Sequence, residues 1–226
     1  MTALSRVGEI VRRHDPDRFF TALFAPAAKR EALFTLYAFN HELARAREVA
    51  REPMMALIRL QWWREVVEGA HRRHEVAEPL REALDADALK SHDLLALIEG
   101  RESDPATTLD DWASHLRNTA GTLAVAAGRS LGATEFEALR DFGAAYGAAG
   151  VLRNAALSGT RPPTGLADLG QTWLAQGRRL GVPRQALVAA LPAVFAARDL
   201  RRSRPVRERG AGDKLAVVLA AATGRI

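Results

Sequence analysis

Two histidines, His71 and His74, with Glu75 beside them, are the residues whose types and spacing first suggest metal chemistry. A His-x-x-His pair on a helix presents both imidazoles on one face, but a zinc site needs a third ligand and groups that orient the imidazoles. Arg72 and Arg73 lie between the two histidines, and their positive charge opposes metal binding. We therefore predict a solvated helix end here rather than a metal site.

A second candidate is a polar stripe on the segment 27–50. Helical steps of four and three residues align five side chains: Leu33, Tyr37, Asn40, Ala44 and Arg47. Polar Asn40 and charged Arg47 on an otherwise apolar stripe predict that the C-terminal half of this helix faces solvent or a polar cleft.

A length of 226 residues fits one globular domain, or at most two small ones, and the chain has no cysteine. The absence of cysteine excludes thiolate chemistry, disulfides and cysteine-ligated zinc. The net charge of +5 favours anionic partners. We expect a cytoplasmic protein, because no apolar run approaches the roughly 18–20 residues of a membrane span and the first residues do not resemble a secretory signal.

Apolar residues recur at three- and four-residue steps throughout, so the sequence predicts an all-α fold. The predicted helices are 4–13, 27–50, 53–73, 78–90, 93–101, 108–130, 134–157, 166–180, 184–203 and 213–223. Thr108 with Asp111, and Thr134 with Glu137, have the spacing of capping boxes. Pro192 is expected to kink its helix rather than to end it. Trp62 and Trp63 are adjacent, so we expect one to be buried and the other partly exposed.

Three glycines, Gly143, Gly147 and Gly150, share one face of the helix 134–157. Glycine weakens a helix interior by about 0.5–1 kcal/mol relative to alanine, so the pattern needs a reason. One interpretation is close helix–helix packing. The other is that small residues line a ligand cavity in a helical bundle.

Several segments, in order along the chain, resemble the squalene/phytoene synthase family. KREALFTLYAF at 29–39 resembles the segment leading into the family's first aspartate-rich motif, and ALIRLQWWREVVEGA at 56–70 resembles its Trp-Arg helix. The segments at 109–132 and 141–154 are similar to two later helices of the family. The resemblance implies one domain over residues 1–226, a helical bundle of the isoprenoid-synthase type around a central cavity.

Family enzymes join two prenyl diphosphates head to head, and the resemblance implies two aspartate-rich motifs that hold Mg²⁺ against the diphosphates. At the first motif this chain has Ala44, Arg45, Ala46, Arg47 and Glu48, so one carboxylate remains. At the second motif it has Arg153 and Asn154 and then no acid through Ser158. The same losses are typical of a catalytically degenerate branch whose members act as mitochondrial complex I assembly factors, with bacterial relatives.

We therefore predict a non-catalytic family member without a cofactor. It would bind a prenyl-like ligand or a membrane-protein client, and by resemblance assist respiratory complex I assembly. The alternative is a working prenyl transferase of the squalene/phytoene synthase type that uses Mg²⁺. By resemblance, the ligand-binding positions lining the cavity are Tyr37, Asn40, His41, Ala44, Arg45, Arg47, Glu48, Gly147, Gly150, Arg153 and Asn154. Arg45, Arg47 and Arg153 are the residues we expect to grip an anionic head group.

The segment 198–226 is rich in arginine and ends in the apolar run LAVVLAAA. Such a segment can lie on an anionic membrane surface, peripheral to the inner membrane. The alternative is a solvated strap over the bundle. Nucleic acid is not an expected partner, because the segment lacks interleaved aromatic residues and any recognised reading module.

Overall fold

The structure, a computed structural model, describes residues 4–49, 52–103, 106–158, 161–202 and 208–226. Secondary structure in these residues is helical, with no strand among them, so the predicted all-α class is confirmed. The chain divides into two compact units, residues 1–104 and 105–226. Within the described ranges, no helix has both the length and the apolar content that a membrane crossing requires.

The first unit is built around one long helix. Its α-helices are α1 (Arg6–His14), α2 (Pro16–Ala22), α3 (Ala27–Glu48), α4 (Pro53–Val67), α5 (Ala77–Asp85) and α6 (Ser91–Glu102). The other five all contact α3. Every residue of α3 from 32 to 39 is consequently buried, so this central stretch of the helix is covered around its whole circumference.

The helices of the first unit differ from the prediction in several places, α2 and α4 among them. Helix α2 was not predicted, although the side chain of Asp15 caps it by accepting a hydrogen bond of 3.1 Å from the Arg18 amide. Helix α4 ends at Val67 rather than at 73. The chain turns at Gly69, whose φ of 111° is costly for any other residue.

The second unit is also built around one long helix. Its α-helices are α7 (Leu109–Leu116), α8 (Thr122–Ser130), α9 (Glu137–Ser158), α10 (Leu166–Leu180), α11 (Leu187–Ala190), α12 (Pro192–Asp199) and α13 (Ala211–Thr223). Helix α9 contacts α7, α8, α10, α11 and α12. The capping box of Thr108 and Asp111 is present as predicted. Helix α9 begins at Glu137, three residues later than expected.

The predicted helix 108–130 contains a π-helical segment, Arg117–Gly121, between α7 and α8. Such segments insert one residue into the helical register and are not evident from apolar periodicity. At Pro192 the hydrogen-bond ladder is interrupted, because proline has no amide hydrogen to donate. Leu191 nevertheless keeps right-handed helical angles (φ −53°, ψ −33°), so the backbone continues through this point as expected of a kink.

Candidate functional site

Residues 40–48 of α3 carry six of the predicted site residues and are far less covered than residues 32–39. Asn40, His41, Ala44 and Arg47 are partly buried, and Arg45 and Glu48 are exposed. The change from a fully buried to a partly open helix confirms the prediction made from the polar stripe.

Arg47 uses its guanidinium within the first unit. Its Nε donates a hydrogen bond of 2.8 Å to the Arg101 carbonyl, and its Nη2 donates to the Ser103 carbonyl. Both carbonyls belong to the end of α6, where carbonyl groups lack helical partners and attract positive charge. Arg47 therefore joins α3 to the end of α6.

Arg101 is the residue at this site that the sequence analysis missed. Its Nη2 donates to Asn40 Oδ1 at 3.3 Å, while its Nε is buried and has no hydrogen-bond partner among the described residues. Burial, followed by the positive charges of Arg18 and Arg47, lowers the pKa of Arg101 to about 10, although the Glu48 charge opposes the shift. In the sequence Arg101 looks like an ordinary basic residue in the last turn of a helix, so no local signal marked it.

Tyr37 lies one helical turn before Asn40 and is fully enclosed, with 2% of its surface exposed. Burial raises the pKa of its phenol to about 12, with smaller contributions from Arg18, which lowers it, and Asp15, which raises it. The Arg18 guanidinium lies 5.7 Å from the Tyr37 ring centre, a cation–π distance. Tyr37 is therefore a neutral donor or acceptor at neutral pH.

His41 stacks on His14 of α1, with ring centres 4.2 Å apart and planes 15° apart. Burial first, and the neighbouring His14 second, lower the pKa of His41. A neighbouring imidazole and burial both disfavour a positive charge on His41, so the geometry favours the neutral form of His41.

A cavity of about 280 Å³ opens beside α3 within the first unit. It is lined by Glu42, Arg45, Ala46, Val49, Arg59, Trp62, Trp63 and His74. Arg45 donates to Glu42 Oε1 at 3.2 Å, so its charge is partly compensated. Trp63 is buried and Trp62 is partly exposed, as predicted.

His74 belongs to this aromatic group rather than to a solvated helix end. Its ring centre lies 5.6 Å from that of Trp62 and 5.2 Å from that of Trp63, and its Nδ1 accepts a hydrogen bond from the Val76 amide. His71 is exposed. The solvated-end prediction is thus wrong for His74, because α4 ends six residues earlier than expected.

The glycine face of α9 serves close packing at two of its three positions. A Cβ on Gly143 would lie 2.4 Å from the Ala120 carbonyl oxygen, and one on Gly147 would lie 2.8 Å from the Ala120 Cβ. Both glycines allow α9 to approach the π-helical segment. Gly150 is different, since a Cβ there would meet nothing within 4 Å.

Arg153 of α9 already contacts a carboxylate in its own unit. Its Nη1 lies 3.5 Å from Asp199 Oδ2 at the end of α12. The same carboxylate binds Arg202 at 3.1 Å and Arg209 at 2.6 Å. Asn154, the next residue on α9, is exposed.

The arginines of the basic C-terminal segment also form ion pairs within the second unit. Asp213, 3% exposed, accepts hydrogen bonds from Arg198 and Arg202 and from the Gly210 amide. Burial alone would raise the pKa of Asp213, but these hydrogen bonds outweigh it and hold the pKa below its usual value. Neither prediction for this segment anticipated that its arginines bind buried carboxylates; residues 203–207 lie outside the described ranges.

The structure therefore places the predicted site residues on two helices of two units. Tyr37, Asn40, His41, Ala44, Arg45, Arg47 and Glu48 lie on α3, and Gly147, Gly150, Arg153 and Asn154 lie on α9. The single domain and the central cavity joining these two sets stay predictions.

The residues at the two motif positions do not fit Mg²⁺. On α3 they offer one carboxylate, Glu48, next to Arg45 and Arg47. On α9 the guanidinium of Arg153 contacts Asp199. Magnesium requires a nearly octahedral set of oxygen ligands, usually with one or more carboxylates and substrate phosphates. Guanidinium groups at these positions repel a cation and suit an anion instead.

Comparison with known proteins gives a family match over most of the chain. The model of the squalene/phytoene synthase family matches residues 11–190. Among curated proteins, NADH dehydrogenase (ubiquinone) complex I, assembly factor 6, from Homo sapiens is 31% identical over 107 residues, which is 46% of this chain and 31% of that protein. The Bos taurus protein of the same name is 30% identical over the same lengths. The chain thus spans about a third of the length of these relatives.

Two solved structures share the fold. A dehydrosqualene synthase in complex with ligand gives a TM-score of 0.71 at 12% identity, covering 96% of this chain and 94% of that one. The squalene synthase HpnC from Alicyclobacillus acidocaldarius gives a TM-score of 0.70 at 18% identity, covering 88% and 94%. At such identities the likeness establishes the isoprenoid-synthase fold.

Proposed function

Because the chain belongs to the squalene/phytoene synthase family, we propose that it is a non-catalytic member that binds the anionic head group of a prenyl-like ligand and assists assembly of respiratory complex I. The observation that carries this proposal is the loss of acids at the first motif, where Ala44 and Arg45 stand at the two leading aspartate positions that the resemblance implies. A guanidinium can bind phosphate directly through charge-assisted hydrogen bonds, without a bridging metal.

The contacts around α3 support Arg101 as the main anion-binding group, in place of two of the three arginines expected from the sequence. Arg47 and Arg153 are already engaged with protein acceptors. The Nε of Arg101 is buried without a partner, and a buried donor of this kind is normally satisfied by water or a ligand. Asn40, which holds Arg101, would complete the polar contact.

The role in complex I assembly rests on the curated relatives, whose name states that role. The match covers 46% of this chain and 31% of the human relative, so the assembly role is part of the proposal. A client protein would take the place of the prenyl-like ligand if no diphosphate binds.

A turnover assay tests the non-catalytic part of the proposal. Purified protein is incubated with labelled farnesyl and geranylgeranyl diphosphates, with and without Mg²⁺, and pyrophosphate release and hydrocarbon product are measured. We expect neither. Magnesium-dependent product would establish the prenyl transferase alternative and contradict the proposal.

Binding is tested by calorimetry with farnesyl thiodiphosphate, a slowly reacting analogue, in the presence of a chelator. We expect binding without metal and a loss of about 10- to 100-fold in affinity for Arg101→Met, since a charged hydrogen bond contributes about 1.5–3 kcal/mol. Arg12→Met, an exposed arginine on α1 of the same unit, is the matched control and should bind as the wild type does. Equal affinity in both variants, with both folded, would exclude Arg101 as the anion-binding group.

A further inference from the structure

Helix α13 presents an apolar stripe to solvent. Leu215, Val218 and Leu219 are 57%, 41% and 55% exposed. Steps of three and four residues place them on one face of the helix. The opposite face, with Val217 fully buried, packs against α12. The stripe therefore points away from the core of the second unit and is not required for its packing.

Basic residues flank the stripe at both ends. Lys214 is exposed in the first turn, and Arg225 is exposed just beyond the last. Arg225 follows Lys214 by eleven positions, so the two bases lie beyond opposite ends of the stripe. The acidic residue of α13, Asp213, is 3% exposed and bound by Arg198 and Arg202. The outward face of α13 is thus apolar and cationic, with no carboxylate.

More positive charge lies near the C-terminal end of α13. Arg178 Nε donates a hydrogen bond of 2.9 Å to the Ile226 carbonyl. The pKa of Arg178 is lowered first by burial and second by the charge of Arg201, so these two arginines lie near each other. Leu180, which is 62% exposed, follows Arg178 by two residues.

We propose that α13 docks the protein on the surface of an anionic lipid bilayer, with Leu215, Val218 and Leu219 entering between the head groups and Lys214 and Arg225 contacting lipid phosphates. Charge complementarity carries this choice of occupant. An aliphatic stripe bordered by bases matches a surface whose apolar interior is bordered by phosphates. Asp213 is the one carboxylate of the helix, and its ion pairs with Arg198 and Arg202 neutralise the charge that lipid phosphates would otherwise repel.

Helix α4 provides a matched control surface in the first unit. Met55 and Ile58 are 45% and 54% exposed, and Arg59 lies on the same face. The residue before α4 is the exposed acid Glu52 rather than a base. This stripe is therefore as apolar as that of α13, but it has a base at one end only, Arg59, and an acid at the other, and we expect it to stay in water.

The first test is co-sedimentation of the full chain with vesicles. We compare phosphatidylcholine vesicles with vesicles that contain roughly 30% phosphatidylglycerol, a fraction high enough to give a negative surface potential. We expect binding to the anionic vesicles only. Binding should fall at least tenfold in Leu215→Glu/Leu219→Glu and about fivefold in Lys214→Gln, and it should be lost at about 0.5 M salt, where charges are screened. Met55→Glu/Ile58→Glu should bind as the wild type does.

The second test locates the contact. The chain has no cysteine, so Leu219→Cys and Ile58→Cys can each be labelled at one site with an environment-sensitive dye. We expect a blue shift on addition of anionic vesicles at position 219 and none at position 58. These binding tests are independent of prenyl diphosphate turnover, so their outcome does not depend on the proposed function.

Three results would overturn the proposal. Equal binding to neutral vesicles would show that the basic residues do not direct the protein to the lipid surface. A blue shift at position 58 equal to that at 219 would show that α13 is not the part of the protein that contacts the lipid. If Leu215→Glu/Leu219→Glu abolished self-association of the chain while wild-type protein failed to bind vesicles, the stripe would instead be an interface between two copies.

Discussion

Helices α3 and α9 have the same length, 22 residues, and each is central to its own unit, but the segments that resemble the family's two motifs lie in different surroundings. On α3, Arg45 and Glu48 are exposed, and Asn40 and Arg47 are partly buried. On α9, Gly143 and Gly147 lie so close to the π-helical segment that a Cβ at either position would clash with it. The end of α3 is therefore a polar surface, whereas the glycine face of α9 is a packing surface.

The largest effect should come from a methyl group on the packing face of α9. Gly143→Ala places a Cβ 2.4 Å from the Ala120 carbonyl oxygen and 2.7 Å from the Ala124 Cβ. Backbone atoms cannot move aside cheaply, so we expect a loss of about 3 kcal/mol in the free energy of unfolding. Urea denaturation followed by circular dichroism measures it.

Gly150→Ala is the control on the same helix. A Cβ there meets nothing within 4 Å, so only helix propensity changes, and stability should rise by about 0.5–1 kcal/mol. Equal destabilisation by both substitutions would contradict the close packing at Gly143 and the open space at Gly150.

On α3 the corresponding test is Arg47→Met. The substitution keeps much of the side-chain volume but leaves the carbonyls of Arg101 and Ser103 without their donor. We expect a loss of about 2 kcal/mol, since hydrogen bonds from charged groups contribute about 1.5–3 kcal/mol. A thermal melt of the folded variant measures the change. An unchanged melt would show that Arg47 is free to bind a ligand, contrary to its position here.

The burial of Tyr37 in the central stretch of α3 should make the free energy of unfolding depend on pH above 10. The pKa of Tyr37 is raised to about 12, so its ionisation is harder in the folded protein than in the unfolded chain. The resulting stability is fully present below pH 10 and is lost as the pH rises towards 12. We expect a difference of about 2 kcal/mol between these limits, measured by urea denaturation at each pH. In Tyr37→Phe this part of the pH dependence should disappear; if it persists, another group causes it.

Arg153→Met on α9 should cost less, about 1 kcal/mol. Its contact with Asp199 is 3.5 Å long, and Arg202 and Arg209 still neutralise that carboxylate after the substitution. Urea denaturation measures the change. A loss as large as that for Arg47→Met would indicate that the ion pairs of Asp199 depend on all three arginines.

The features that could be predicted from the sequence are those set by residues close together in the chain. The bounds of α10, the capping box at Thr108 and the unequal burial of Trp62 and Trp63 follow from periodicity and short-range hydrogen bonds. The polar half of α3 followed from Asn40 and Arg47 in the same way.

The contacts that were missed join distant segments of the chain. Arg101 meets Asn40 across 61 positions, and Arg153 meets Asp199 across 46. Apolar periodicity contains no information about which acceptor a given arginine will find. For the same reason, the sequence did not reveal the distant acceptors of Arg47 and Arg153, two of the three arginines expected to bind a ligand.

The smallest effect should belong to the third of those arginines. Arg45 is about half exposed, and its pair with Glu42 lies on the surface of α3. Exposed pairs of this spacing contribute about 0.3–0.5 kcal/mol, so Arg45→Ala should leave the thermal melt almost unchanged. Because Arg45 also lines the cavity beside Trp62, binding measurements on this stable variant separate a ligand-binding role from a structural one. If Arg45→Ala weakens farnesyl thiodiphosphate binding without changing the melt, the arginines of α3 act on the ligand. If neither changes, Arg45 has no part in anion binding, which then depends on Arg101 of α6.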